Sequence, residues 1–337
     1  MNIQEYSVAS LISFEKNKNS SAIAREIGTS QSNASRFLKH FDVDVADFLP
    51  AIKKMFGTKK LTAIFDDTTI SRRYAQETEG TSSMVDHSTK TFTNGYKIVA
   101  AGLTDGTFFL PIDLEHWVAE FILGDAYLKK SDLAERLVKK LLDLGVALQY
   151  FVLDGLYFSK RMIDFFDDRG LKFVIKAKTT TSVFYQGHVI QLKDCPDLRL
   201  NSNQSQKKIF AEWKGKKLYF IAVKRSGKHG EKTIYLVANF KAKSKVYAQI
   251  YDSRWAIEKC FRTCKQSLGL NNSLSQHANI YLNHIKCVFF SYTITQFIMK
   301  KFCLDSAEAA IRKAQALKYK SDFSHIVQQI SLLVPYA

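Results

Sequence analysis

The sequence predicts an α/β protein with a helical unit at its N-terminus and a β-rich stretch set into its second half. Three observations lead there. Between residues 60 and 178 short apolar runs alternate with helical patterns; residues 179–243 hold several strand-like runs and no long helix; residues 1–58 read as helices. The expected division is a helical domain over 1–58, a core assembled from 59–178 and 244–303, a β-rich basic insertion over 179–243, and C-terminal helices over 304–337.

Composition narrows the function classes. At 337 residues, 46% hydrophobic and 24% charged, the chain can bury a sizeable core and is globular, not disordered. Its formal charge of +17 favours a polyanionic partner, nucleic acid first and a membrane surface second. The opening MNIQEYSVAS lacks the apolar run of a secretory signal. The longest uncharged apolar stretch, Cys287 to Met299, is 13 residues, short of the about 20 that span a bilayer. It reads as a core helix, so no membrane association is expected. Five cysteines form no CxxC pair and are odd in number, which suggests neither a disulfide framework nor a zinc site and fits a reducing cytoplasm.

Within the first 58 residues, SSAIAREIGTSQSNASRFLKHF has a short helix containing Ala24, a turn at Gly28 and a second helix starting near Ser30. Small residues at Ala24, Gly28 and Ala34 let two helices cross closely, as a helix-turn-helix requires. In that arrangement the second helix enters a major groove, and Ser30, Gln31, Ser32, Asn33 and Arg36 face base edges or phosphates. The plain alternative is a helical hairpin whose serines serve only as caps.

KLTAIFDDTTI (residues 60–70) reads as a short buried strand running into polar groups. An aspartate there could simply cap the next turn. Strand alternation puts Asp66 and Asp67 on opposite faces, so the two are not expected to share one job. Residues 71–89 are polar and read as a loop. YKIVAAGL and TFFLPIDLEHWV follow as two strands joined at Asp105-Gly106, a strong hairpin signal. A helix is expected from about Lys130 to Leu144, with Leu133, Leu137, Leu141 and Leu142 on one side. Next, QYFVL ends in Asp154-Gly155, a helix runs from about Ser159 to Asp168 before Gly170, and KFVIKAK forms another strand. A carboxylate at the C-terminal end of a strand in an open α/β sheet stands where ligands bind.

The β-rich stretch carries most of the charge. Between Gln206 and Lys245 there are twelve Lys and Arg against Glu212 and Glu231, which is +10 of the total +17. Lysines on alternate strand positions can serve solubility and edge protection. Their concentration just before the polar segment described next favours a surface that tracks DNA phosphates without reading sequence.

That segment, YDSRWAIEKCFRTCK (251–265), has no Pro or Gly and is expected to be a helix. At about 100° per residue, Tyr251, Arg254, Glu258, Arg262 and Lys265 fall in an arc of roughly 80°, with Ile250, Ile257, Phe261 and Leu268 in the adjoining arc. A solvated charged face is the ordinary explanation. Yet one carboxylate among three cations, with Tyr251 and Trp255 beside them, suits a metal ligand facing a polyanion. Residues 275–302 and 306–334 are expected to form one long apolar helix and two shorter ones.

The spacing Y-x2-R-x3-E-x6-K, carried by Tyr251, Arg254, Glu258 and Lys265, resembles the C-terminal signature of insertion-sequence DDE transposases, in the branch named for those four residues. The apolar strand ending in D-T-T resembles the family's first catalytic segment and selects Asp67; the strand ending at Asp154 resembles the second. The resemblance implies a ribonuclease-H-like catalytic core, with Asp67, Asp154 and Glu258 as catalytic residues and ligands of Mg²⁺, Mn²⁺ being a substitute. It further implies that Tyr251, Arg254, Arg262 and Lys265 hold DNA. The expected partners are double-stranded DNA, as terminal inverted repeats and target, and a second copy of the chain in a homodimer on DNA. Two other functions remain open: a DNA-binding regulator or inactive copy that does not cut, and a nuclease of the same fold that never joins strands.

Overall fold

A computed structural model describes residues 1–336 apart from 73–77, 87–90 and 228–229. The chain opens with helices α1 (Ile3–Ile12), α2 (Ser20–Ile27), α3 (Gln31–His40) and α4 (Leu49–Phe56). Strands β1 (Leu61–Ser71), β2 (Ser82–Asp86), β3 (Thr91–Thr104) and β4 (Phe109–Trp117) follow, then α5 (Glu120–Leu123) and α6 (Lys130–Asp143). Next come β5 (Leu148–Leu153), α7 (Lys160–Asp167), β6 (Phe173–Ala177), β7 (Ser182–Tyr185), β8 (His188–Gln191), β9 (Gln206–Trp213), β10 (Lys216–Gly227) and β11 (Gly230–Ala238). The chain ends with α8 (Ser244–Asp252), α9 (Trp255–Ser267), α10 (Ala278–Phe302), α11 (Ala307–Gln315) and α12 (Phe323–Leu333). The architecture is mixed α/β, as the alternation of patterns predicts.

The chain divides into two compact units. One comprises residues 1–59, 67–146 and 256–337; the other comprises 60–66 and 147–255. Two of the four boundaries fall inside elements, between Asp66 and Asp67 within β1 and between Trp255 and Ala256 within α9.

In the larger unit the N-terminal helices pack on α10. Ser7 donates to the Cys287 carbonyl, and the Asn283 amide donates to the carbonyls of Leu38 and Phe41. Residues 1–58, expected as a domain of their own, thus share a unit with the C-terminal helices. α2 is capped by Asn19 and ends at Gly28, whose φ of 78° is the left-handed turn the sequence calls for. Ser30 caps α3, which leaves Gln31, Asn33 and Arg36 exposed. β3 and β4 form an antiparallel hairpin around Asp105 and Gly106. β2 pairs with the first residues of β3, so the stretch expected as a loop over 71–89 contains a strand. Its short alternating run buries Ser82 and satisfies its backbone on β3, which outweighs its polar composition. At Gly95 a Cβ would lie 2.2 Å from the Ile70 carbonyl oxygen, so glycine alone permits this approach of β3 to the second half of β1.

α10 is almost wholly buried, yet it carries Asn283, His284, Ser291, Thr293, Thr295 and Gln296 inside. Among the described residues no helix is long and apolar enough to cross a membrane. The His284 ring lies 2.9 Å from both the Tyr6 hydroxyl and the Gly269 carbonyl oxygen. Burial pushes its pKa down to about 4, below the unfolded value of about 6.5. The unfolded chain therefore takes up this proton first as pH falls. Stability is expected to be intact above about 6.5 and to decline through pH 4, by a few kcal/mol in all. Urea unfolding between pH 7 and 4 measures it, and His284→Gln should flatten that slope.

In the second unit the first half of β1 pairs parallel with β5, and β5 pairs parallel with β6. β11 then adds antiparallel to β6, followed by β10, β9, β7 and β8. The β-rich stretch thus extends the same sheet. α8 covers it, placing Tyr247, Ala248 and Tyr251 against Val152, Val174, Ile221 and Leu236.

The single helix expected over 251–265 is two helices. α8 stops at Asp252 and α9 starts at Trp255. Ser253 donates its hydroxyl to the Ile250 carbonyl, and the Arg254 amide closes a tight turn on Tyr251. A hydroxyl that takes a helix carbonyl competes with the helical ladder at that point.

Candidate functional site

Asp154 is delivered by β5. Val152 and Leu153 are fully buried, and the strand ends where Asp154 starts a short turn of 3-10 helix over Gly155–Tyr157. Gly155 keeps the turn close to β6, since a Cβ there would lie 3.2 Å from the Lys176 carbonyl oxygen. The Tyr251 hydroxyl donates to Asp154 Oδ1 at 3.2 Å. Tyr251 is 7% exposed, and burial pushes its phenol well above the usual range against the lowering effect of Arg254. It is therefore a neutral hydrogen-bond donor on the buried face of α8.

Arg254 donates from a terminal guanidinium nitrogen to Asp66 Oδ2 at 2.6 Å, with side-chain exposures of 15% and 14%. Its guanidinium carbon lies 5.5 Å from the centroid of the Tyr251 ring. Close by, Arg225 of β10 pairs with Asp252. The smaller unit thus holds Asp66, Arg254, Tyr251 and Asp154 in one connected series.

In the larger unit, Asp67 Oδ2 receives Lys97 Nζ at 2.7 Å and Lys130 Nζ at 3.0 Å. Lys97 is buried on β3 and also donates to Thr69; Lys130, at the start of α6, lies over the Trp117 ring. Burial alone would raise the Asp67 carboxyl, but Lys130 and Lys97 outweigh it and hold it below the usual carboxylate value. The sign follows directly: this contribution is complete above the unfolded carboxyl pKa and is lost as pH falls through the lower folded value. Lys97→Met removes one partner of a buried ion pair. Lys130 remains on Asp67, so the cost is expected to be about 1–3 kcal/mol, that of a lost charged hydrogen bond, read from urea unfolding at pH 7, with the deficit shrinking in acid as Asp67 protonates.

Glu258 stands in the first turn of α9, half-buried, with Ile257 and Phe261 buried beside it to fix the helix face. Of the expected packing arc, Ile257, Phe261 and Leu268 are buried, whereas Ile250 is half-buried on α8, and Tyr251, expected on the polar arc, is buried as well because the chain breaks between the two helices. Arg262 is exposed. Lys265 lines an open pocket of about 330 Å³ with Lys16, Lys18 and Arg312, as well as Glu15 and Glu308. Burial lowers the Lys18 ammonium to about 8, and its Nζ donates to the Ser10 carbonyl. Ser30, Gln31, Asn33 and Arg36 lie on α3 and its cap.

Carboxylate oxygens are the donors a magnesium-type cation takes. Among the described residues, however, no three His, Cys, Asp or Glu side chains are grouped as one ion would need. Asp67 Oδ2 already carries two ammonium groups.

Sequence reasoning missed three partners. Lys97 left a signal: it is the one charge in the apolar run YKIVAAGL, and a cation buried in a strand needs a carboxylate. Lys130 left none, since a lysine at a helix start is ordinary. For Asp66 the alternation rule placed it away from Asp67, and the two do take different cationic partners.

A family profile described as "Transposase DDE domain" matches residues 57–293. No curated relative matches the chain.

Proposed function

Because the chain belongs to the family of transposases with a DDE domain, we propose that it cuts the ends of an insertion sequence and joins the 3′ ends to target DNA. The observation that carries this reading is the matched span, 57–293, which takes in Asp67, Asp154, Glu258 and Lys265 together. Within it we assign the three carboxylates to catalysis, on the Y-x2-R-x3-E-x6-K spacing and on the two aspartates that follow apolar runs: Asp154 directly after β5, and Asp67 within β1, which runs on to Ser71 and does not end at the D-T-T segment as expected. The same spacing points to the branch of insertion-sequence transposases named for it.

The pieces described favour a ribonuclease-H-like core. The smaller unit has parallel β1, β5 and β6; the larger has the β3–β4 hairpin and the second half of β1. Mg²⁺, or Mn²⁺ in its place, is the cation three carboxylates would serve. For such an ion to reach Asp67, Lys97 and Lys130 have to yield or share its carboxylate. We assign DNA contact to Arg254, Arg262 and Lys265, to the exposed lysines of β9–β11, and to Ser30, Gln31, Asn33 and Arg36 at the start of α3; Tyr251, expected to hold DNA as well, is buried and donates to Asp154 instead. Helix α3 follows a left-handed turn at Gly28, the geometry a helix-turn-helix uses. Dimerisation on paired DNA ends belongs to the same reading.

The test is incubation of the purified protein and Mg²⁺ with a labelled duplex carrying the DNA that flanks its own gene. Cuts at a repeat boundary, followed by joining to a second duplex, are the expected result. Cutting without joining would make the protein a nuclease; binding without cutting would make it a regulator or an inactive copy.

A further inference from the structure

Asp66 precedes the proposed catalytic aspartate in β1, but its ion pair is with Arg254 of the smaller unit. We propose that Asp66 is a positioning residue for the reaction: it fixes Arg254, and through the Tyr251 ring it sets the hydroxyl that donates to Asp154. The proposal rests on the function assigned above, since it concerns the same site.

Four observations carry it. The Asp66–Arg254 contact is short, 2.6 Å, and both side chains are about 15% exposed, so the pair is screened less than one at the surface. Arg254 follows the break between α8 and α9, where no continuous helix holds its backbone and a side-chain anchor has most to do. Its guanidinium lies over the Tyr251 ring, a geometry in which a cation is attracted to the ring face. Tyr251 in turn donates to Asp154 Oδ1, and a hydrogen bond to an ionised carboxylate is of the stronger kind. An aspartate that loses this donor is less well placed, although its own strand is unchanged. Arginine has five N–H donors, so anchoring by Asp66 is compatible with a phosphate contact by Arg254 as well.

The chemistry predicts a particular pattern. Asp66→Asn keeps size and shape and removes the charge that fixes Arg254. Cleavage of end DNA in single turnover should fall about tenfold or more, while the Kd for the same duplex stays within about threefold. Asp66→Glu, which restores the charge, should recover part of the rate. In an Arg254→Gln background, or with Tyr251→Phe, Asp66→Asn should add less than about twofold, because groups that act in series are not additive.

A merely structural role would instead lower binding and cleavage together and would not be rescued by Glu. The same cycle read by urea unfolding midpoints needs no activity. Coupling between Asp66 and Arg254 there, with no cleavage by wild type, would leave the contact standing and sink the assigned function. Additive effects in both readouts, or undiminished cleavage by Asp66→Asn, would overturn the proposal.

Discussion

Glu258→Ala is expected to abolish strand cleavage while leaving end DNA bound. Glu258 lies in the first turn of α9, and its neighbours Ile257 and Phe261, not Glu258 itself, hold that helix in the core. Glu258 is half-buried and is not one of the buried apolar anchors, so its truncation should move the thermal midpoint by only a few degrees. If the glutamate serves the reacting phosphate, single-turnover cleavage should drop roughly a thousandfold or more, equivalent to about 4 kcal/mol of barrier. Kd for the end duplex should change less than about threefold. Normal cleavage by this variant would remove Glu258 from the catalytic set, and lost binding would make it a DNA contact instead.

The second large effect concerns the charge on the β-rich stretch. Lys214, Lys217, Lys232 and Lys243 are exposed. Others nearby are spent on the protein itself: Lys216 pairs with Asp164 and Asp167, Lys224 with Glu231, and Arg225 with Asp252. Changing Lys214, Lys217, Lys232 and Lys243 together to Gln should leave stability within about 1 kcal/mol, as surface substitutions do. If each neutralises one phosphate, the slope of log K against log salt should fall by roughly 3–4 units. At physiological salt that amounts to roughly two to three orders of magnitude in affinity, shared equally by specific and random duplexes. An unchanged slope would mean that these lysines serve solubility alone.

Much of the architecture is legible from local pattern. Leu133, Leu137 and Leu141 of α6 recur at helical spacing and are buried, with Leu142 half-buried beside them; Ser159 and Gly170 bracket α7; Gly28 takes the left-handed turn between α2 and α3. These features depend on residues a few positions apart, and short-range sterics and hydrogen bonding suffice to decide them. The two places where local reading fails have the same cause in reverse. β2 is polar and exists through its pairing with β3, and the break before α9 depends on a serine hydroxyl and on where Arg254 is drawn.

The candidate site divides along the same line. Apolar runs that lead into carboxylates, and a polar segment with one acid among three cations, make Asp66, Asp67, Asp154 and Glu258 candidates from the chain alone; the choice of Asp67 over Asp66 rests on the resemblance of its D-T-T segment to the transposase family. Their partners are another matter. Asp66 and Arg254 are 188 residues apart, Tyr251 and Asp154 are 97 apart, and Lys97 reaches Thr69 across the approach that Gly95 permits. The continuation of β6 into β11, which makes the basic strands part of the same sheet, is equally distant in sequence. Residue types, their periodicity and the charge balance are written in the sequence because they are properties of the chain itself. Which ammonium faces which carboxylate is decided only when loop closure and core packing bring distant segments together, since an ion pair is a property of two places in space.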